Sequence, residues 1–98
     1  MNQSLLGLQF EQSRYHKGIQ LVLDFEKYNL SIVQHDGSYG GTQGLFEIMV
    51  SDASGGIELP GITEPGDTVK GFLTLEEVSI ICKKLTSITG YDPVKVAI

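Results

Sequence analysis

Short links between segments of alternating hydrophobicity constrain the fold of this chain most. One such segment ends at Phe25 and the next begins at Tyr28, with only Glu26-Lys27 between them. Parallel neighbours in a sheet need a crossover of about a dozen or more residues, so these two segments are predicted to pair antiparallel. The clearest alternating segments place their apolar residues on one face: Ile19, Leu21, Leu23 and Phe25; Tyr28, Leu30 and Ile32; Phe46, Ile48 and Val50.

Three further segments suggest strands. Ile57 and Leu59 alternate with the polar residue between them, and the loop 52–56 joins them to the preceding strand. The alternating residues of 6–10 suggest another strand. Residues 94–98 are predicted either as an edge strand or as a loose tail.

The region near the C-terminus has the pattern of one amphipathic helix. Thr74 and Glu77 have the spacing of a capping box, and Gly90 suits the position just past a helix end. We therefore predict a helix over residues 75–89. Its apolar residues fall on one arc at about 100° per residue: Leu75, Val78, Ile81, Cys82, Leu85 and Ile88.

These elements predict the fold class. The alternation leaves one face of the sheet to be covered, and the helix is the available cover. The 98 residues are enough for one hydrophobic core. We predict a single α+β domain over residues 1–98, with an antiparallel sheet of four to five strands packed against one C-terminal helix.

The charge of −5 is unevenly distributed along the chain. Between Leu45 and Ile80, seven carboxylates stand against Lys70 alone, so this region carries a net charge of −6. Such charge opposes binding to nucleic-acid backbones, because that binding depends on cationic groups that release counterions. The acidic region is expected either to keep the protein in solution or to meet a basic partner surface, or to mimic nucleic acid.

Neither a metal site nor a cofactor is predicted. The single cysteine, Cys82, excludes an internal disulfide, and His16 and His35 stand in different regions without a spaced carboxylate or thiol partner. No motif brings a catalytic set together, so an enzyme is not predicted. The sequence has no apolar run of membrane-spanning length, and we expect a cytoplasmic location.

The most suggestive segment for binding is the glycine-rich stretch 35–44 between two strands. Glycine lets a ligand approach the backbone closely, but this stretch leads into a strand rather than a phosphate-binding helix. Its two interpretations are a flexible hairpin loop and a recognition loop. The candidate binding residues here are Tyr39, Gly40, Gly41, Thr42 and Gln43.

Two other places are candidates for binding. Arg14 and Tyr15 belong to the basic cluster 14–17, which is either a solvated turn or a contact for a phosphate-bearing ligand. Ile80 lies about 140° from Leu75 around the helix, on the polar face, where an apolar residue is either incidental or a partner contact.

Three runs of the sequence resemble a family of small proteins encoded by tailed phages and prophages. They are Tyr28-Asn29-Leu30-Ser31-Ile32-Val33, Tyr39-Gly40-Gly41 with Gly44-Leu45-Phe46-Glu47-Ile48, and Gly71-Phe72-Leu73-Thr74-Leu75-Glu76-Glu77-Val78. The similarity covers about residues 25–80, and the chain departs from it by a longer N-terminus and an insertion around Pro65-Gly66. The resemblance implies a phage-like origin, a setting in which small acidic domains serve as inhibitors of host proteins or as sponges for defence signals.

Two functional hypotheses follow. The first is a non-enzymatic interaction protein that inhibits a host protein, such as one of antiviral defence, by binding it. The alternative is a sponge that sequesters a nucleotide-like molecule through the glycine-rich stretch and residues 14–17. Because a small antiparallel sheet has exposed edges, we also hypothesise a homodimer that uses an edge strand or the helix face around Ile80.

Overall fold

The computed structural model describes residues 3–98, in which one α-helix covers one face of an antiparallel sheet; the predicted α+β class is confirmed. The elements in chain order are β1 (Ser4–Leu5), β2 (Leu8–Gln9), β3 (Glu11–Gln12), β4 (Gly18–Asp24), β5 (Asn29–His35), β6 (Phe46–Asp52), β7 (Gly55–Gly56), β8 (Val69–Leu73), α1 (Leu75–Thr89) and β9 (Val94–Val96). β1 and β2 form a separate small hairpin.

Three seven-residue strands, β4, β5 and β6, form the centre of the sheet, and short strands close its two edges. On one edge β3 and β9 both pair with β4, at different places along it. On the other edge β7 and β8 pair with β6. The sheet of the described residues therefore has seven strands instead of four to five, because each edge is built from two short pieces.

The register of the central strands aligns the predicted apolar residues into rows across the sheet. Leu21 pairs with Ile32, which pairs with Ile48; one step along, Leu23, Leu30 and Val50 form a second row. All six are fully buried. A shift of one residue in any strand would turn its apolar set to the solvent, so burial fixes the register.

The helix prediction is confirmed at both ends. The Glu77 amide donates to the Thr74 hydroxyl at 3.1 Å, and the Thr74 amide donates to the Glu77 carboxylate at 2.8 Å. The bond from the Thr74 amide to the Glu77 carboxylate, followed by the Thr74 side chain, lowers the pKa of Glu77. Gly90 follows in a left-handed conformation at φ 76°.

The prediction that Ile88 is buried with the rest of the helix arc is wrong. Val78, Ile81, Cys82 and Leu85 are buried, but Ile88 is 52% exposed. Helical periodicity gives the direction of a side chain, not the extent of the surface beneath it. In the last turn Ile88 borders a surface groove beside Gly61 and Ser87 instead of the core.

The strand predictions outside the central three are corrected in part. Residues 57–59 form no strand, since β7 ends at Gly56. The Leu59 amide instead donates to the Thr63 hydroxyl at 2.9 Å, and this bond closes a turn at Pro60-Gly61. The segment 6–10 is interrupted by a turn at Leu6-Gly7, where both residues have positive φ. The final segment does form the edge strand β9, and β8 was not predicted as a strand.

Within residues 3–98, no helix has both the length and the apolar character needed to cross a membrane.

Candidate functional site

Two aromatic side chains stand exposed beside each other at the β6–β8 edge. Tyr39 is 60% exposed and Phe72 is 56% exposed. Their rings stack with centroids 6.3 Å apart and an angle of 29° between the planes. Large apolar side chains placed together in water are unusual unless they meet a partner, so this pair is the starting point for a functional surface.

A bulge in β8 turns Phe72 outward. Phe46 pairs with Leu73 and Ile48 pairs with Lys70, so two residues of β8, Gly71 and Phe72, stand opposite one residue of β6. Phe72 takes φ +56°, a left-handed conformation that costs a non-glycine residue about 1–2 kcal/mol. Bulges and strained residues of this kind concentrate at binding and active sites, where they re-aim a side chain.

Tyr39 is fixed against the same bulge. Its amide donates to the Glu47 carboxylate at 2.8 Å, and its carbonyl accepts the Phe72 amide at 3.2 Å. A Cβ on Gly71 would lie 2.3 Å from the Cβ of Tyr39, so only glycine lets the tyrosine pack there. The exposed rings therefore rest on a backbone that is held in place.

The glycine-rich stretch is compact and bonded to itself. Gly41 to Gln43 form a 3₁₀ turn, and the Leu45 amide donates to the Gly40 carbonyl at 2.9 Å. A Cβ on Gly41 would lie 1.9 Å from the His35 carbonyl oxygen, and one on Gly40 would lie 2.9 Å from Leu45. The space that these two glycines leave is filled by the chain itself. Thr42 and Gln43 are exposed on the 3₁₀ turn.

Charged groups surround the aromatic pair. Glu64, Asp67 and Lys70 line the shallow groove that Tyr39 and Phe72 border. The Lys70 ammonium is paired with Glu64 at 3.0 Å, which leaves the surroundings net acidic. We call these five residues the aromatic face.

Ile80 lies close to the aromatic face. It is 48% exposed and borders, with Glu77 and Leu73, a second groove that Lys70 also lines. Tyr39 and Ile80 were predicted as binding residues in separate parts of the sequence. In the structure they border two neighbouring grooves, and Lys70 lines both.

The basic cluster is an exposed turn between β3 and β4. Tyr15 is 83% exposed, and the Arg14 guanidinium lies 6.0 Å from the centroid of its ring. The turn meets the start of the glycine-rich stretch, because the Asp36 amide donates to the Lys17 carbonyl at 3.0 Å and the rings of His16 and His35 stack at 4.1 Å. The expectation that the two histidines lack a carboxylate partner is therefore wrong: Asp36 lies beside them.

Sequence reasoning missed Phe72 as a functional candidate. In the pattern it resembles an ordinary apolar residue of the segment before the helix, and a bulge is invisible to alternation. The neighbouring Gly71 was the available signal, since a glycine inside a strand often marks a bulge or a close backbone approach.

Cys82 has no nucleophilic character in this fold. Burial raises the pKa of its thiol to about 12, so it stays protonated at neutral pH. It packs in the core as a small apolar residue.

No protein-family model matches this chain, and neither a curated protein nor a solved structure matches it.

Proposed function

We propose that this protein is a non-enzymatic interaction protein that binds another protein through the aromatic face. The observation that carries the proposal is Phe72, whose ring is exposed at the cost of a left-handed backbone. Folding alone would favour glycine at such a position, so the exposed ring calls for a role outside the core. Aromatic side chains dominate the energetics of protein interfaces.

The partner surface is expected to be basic and to offer an apolar pocket. The aromatic rings fill the pocket, and Glu64 and Asp67 lie at its rim to meet cationic side chains. Charge at a rim chiefly speeds association and is screened by salt. If the resemblance of residues 25–80 to small phage-encoded proteins reflects a phage origin, the partner is a host protein, the outcome is its inhibition, and the place of action is the host cytoplasm.

A second candidate is the sequestration of a nucleotide-like molecule by the basic turn and the glycine-rich stretch. The contact between Asp36 and Lys17, which joins these two segments, favours it. In that case Arg14 would meet phosphate and Tyr15 would stack on a base.

The test is affinity capture from a host lysate with identification of the retained protein, followed by measurement of its dissociation constant against purified variants. Tyr39→Ala and Phe72→Gly are each expected to weaken binding by about thirtyfold or more, the effect of losing an aromatic hot spot of about 2 kcal/mol. Tyr91→Ala is the matched control, because Tyr91 is an exposed tyrosine (53%) outside the aromatic face.

Stability separates lost binding from lost folding. Phe72→Ala keeps the backbone strain at φ +56°, whereas Phe72→Gly removes it. Because glycine also adds freedom to the unfolded chain, which offsets part of that gain, Phe72→Gly is expected to be more stable than Phe72→Ala by about 0.5–1 kcal/mol in urea unfolding. If Tyr15→Ala abolishes binding and Phe72→Gly does not, the aromatic face is the wrong site. A thermal shift with nucleotides that depends on Arg14 would then support sequestration.

We also propose a homodimer formed through the outer face of α1. Each sheet edge is made of strands of two to five residues, a common device against edge pairing, whereas Ile80 and Ile88 border one open groove on the helix. Ile80→Glu is expected to shift the protein to a monomer in light scattering while the subunit stays folded, because Ile80 is not part of the core. The melting temperature is expected to lose only the part that depends on protein concentration. A monomeric parent protein at high micromolar concentration contradicts the dimer, and a dimer that withstands Ile80→Glu contradicts this interface.

A further inference from the structure

The end of the β4–β5 pair brings together the three side chains of a compact metal-ligand set. One ligand atom from each of His16, His35 and Asp36 lies within 4.8 Å of the others. The His16 Nδ1 and the Asp36 carboxylate are 3.6 Å apart. Ligands around a tetrahedral zinc ion at about 2.0–2.2 Å are about 3.3–3.6 Å apart, so the His16 and Asp36 atoms already have about the required spacing.

We propose that His16, His35 and Asp36 bind one divalent cation of the zinc class. Two imidazoles with one carboxylate suit zinc, and also nickel or copper, whereas magnesium and calcium prefer ligand sets made of oxygen. Three protein ligands leave a fourth position for water, which gives an open site.

The backbone builds this site from residues far apart in sequence. Gly18 pairs with His35 across the β4–β5 ladder, so the turn before β4 must pass beside the turn after β5. The Asp36 amide donates to the Lys17 carbonyl at 3.0 Å and ties the two turns together. His35 is the last residue of β5, and His16 and Asp36 lie in the two turns that this backbone bond holds together.

Binding requires the two imidazole rings to move. They stack almost parallel, at 4.1 Å and 13°, whereas a metal ion lies in the plane of each imidazole that holds it. The His16 side chain is 50% exposed and has room to rotate out of the stack. The His35 Nδ1 accepts the Gly37 amide at 3.0 Å, so the neutral ring carries its proton on Nε2. An ion at Nδ1 displaces this hydrogen bond directly, and an ion at Nε2 requires the ring proton to move to Nδ1, which breaks the same bond.

The composition of the chain limits the number of imidazole and thiol groups that could compete for zinc. The two histidines of the site are the only ones in the sequence, and the one cysteine is buried with its thiol pKa raised to about 12. Titration of the full chain with ZnCl₂ by calorimetry is expected to give one ion per chain. His16→Gln and Asp36→Asn are each expected to raise the dissociation constant by at least about tenfold, the minimum expected for the loss of a ligand.

Asp92→Asn, a change at an exposed carboxylate elsewhere, is the matched control and is expected to leave zinc binding unchanged. The ring signals of both histidines in NMR spectra are expected to shift together on addition of ZnCl₂ and to stay in place with MgCl₂. Zinc affinity equal in the parent and His16→Gln, a stoichiometry other than one, or a shift of only one histidine overturns the proposal. Because the readouts are metal affinity and histidine signals, they are independent of the partner proposed for the aromatic face.

Discussion

Leu85→Ala is expected to lower the free energy of unfolding by about 2–5 kcal/mol, the range for large-to-small changes at buried leucines. Leu85 is fully buried on the inner face of α1, where that helix covers the sheet. Truncation removes apolar contact and leaves a cavity that the packed rows of the sheet can close only in part. In thermal unfolding, a domain of this size is expected to lose about 4–8 °C for each kcal/mol, so the melting temperature should fall by at least about 8 °C.

Ile88→Ala is the control one helical turn away. Periodicity alone placed Ile88 on the same buried arc, but the structure leaves it half exposed. In the Ile80→Glu background, where the proposed dimer does not contribute, its truncation is expected to change stability by no more than about 0.5 kcal/mol, as for surface substitutions. Equal losses at the two positions would show that α1 lies on the sheet differently.

Gly18→Ala is expected to destabilise the protein by about 2–6 kcal/mol, because two costs combine. Gly18 has φ +146°, a conformation that L residues rarely adopt, which costs about 1–3 kcal/mol. A Cβ there would also lie 2.1 Å from the Gln34 carbonyl oxygen and 2.5 Å from the His35 Cα. Both are backbone atoms that cannot rotate away, and overpacking of this kind costs about 1–3 kcal/mol more. Urea unfolding measures the total.

Gly44→Ala separates the two costs. Gly44 also has positive φ, at +77°, but a Cβ there meets nothing within 4 Å. The substitution is expected to cost only the conformational part, about 1–2 kcal/mol. If Gly18→Ala costs no more than Gly44→Ala, then β4 and β5 are farther apart at this end than the structure places them. The metal-ligand set, which depends on the same close approach, would be weakened with it.

The sequence determined the parts of this protein that depend on local interactions. The helix over 75–89 followed from a capping box, an apolar arc and a glycine stop, all of which act within a few residues. The three central strands followed from alternation, and their antiparallel order from links too short for a crossover. Tyr39 and Ile80 were found as apolar residues that the core did not need.

Tertiary structure decided what depends on partners distant in the chain. β8 became a strand because β6 offered it an edge, and the bulge that exposes Phe72 exists only in that pairing. Ile88 lay on the predicted arc, yet it is exposed because the core does not extend beneath the last turn of α1. His16 and His35 were unrelated in sequence and are in contact because the β4–β5 ladder ends between them. The periodicity of a sequence indicates on which face of a helix or strand a residue lies. Whether another part of the chain covers that residue is decided only by the packing of the elements against each other.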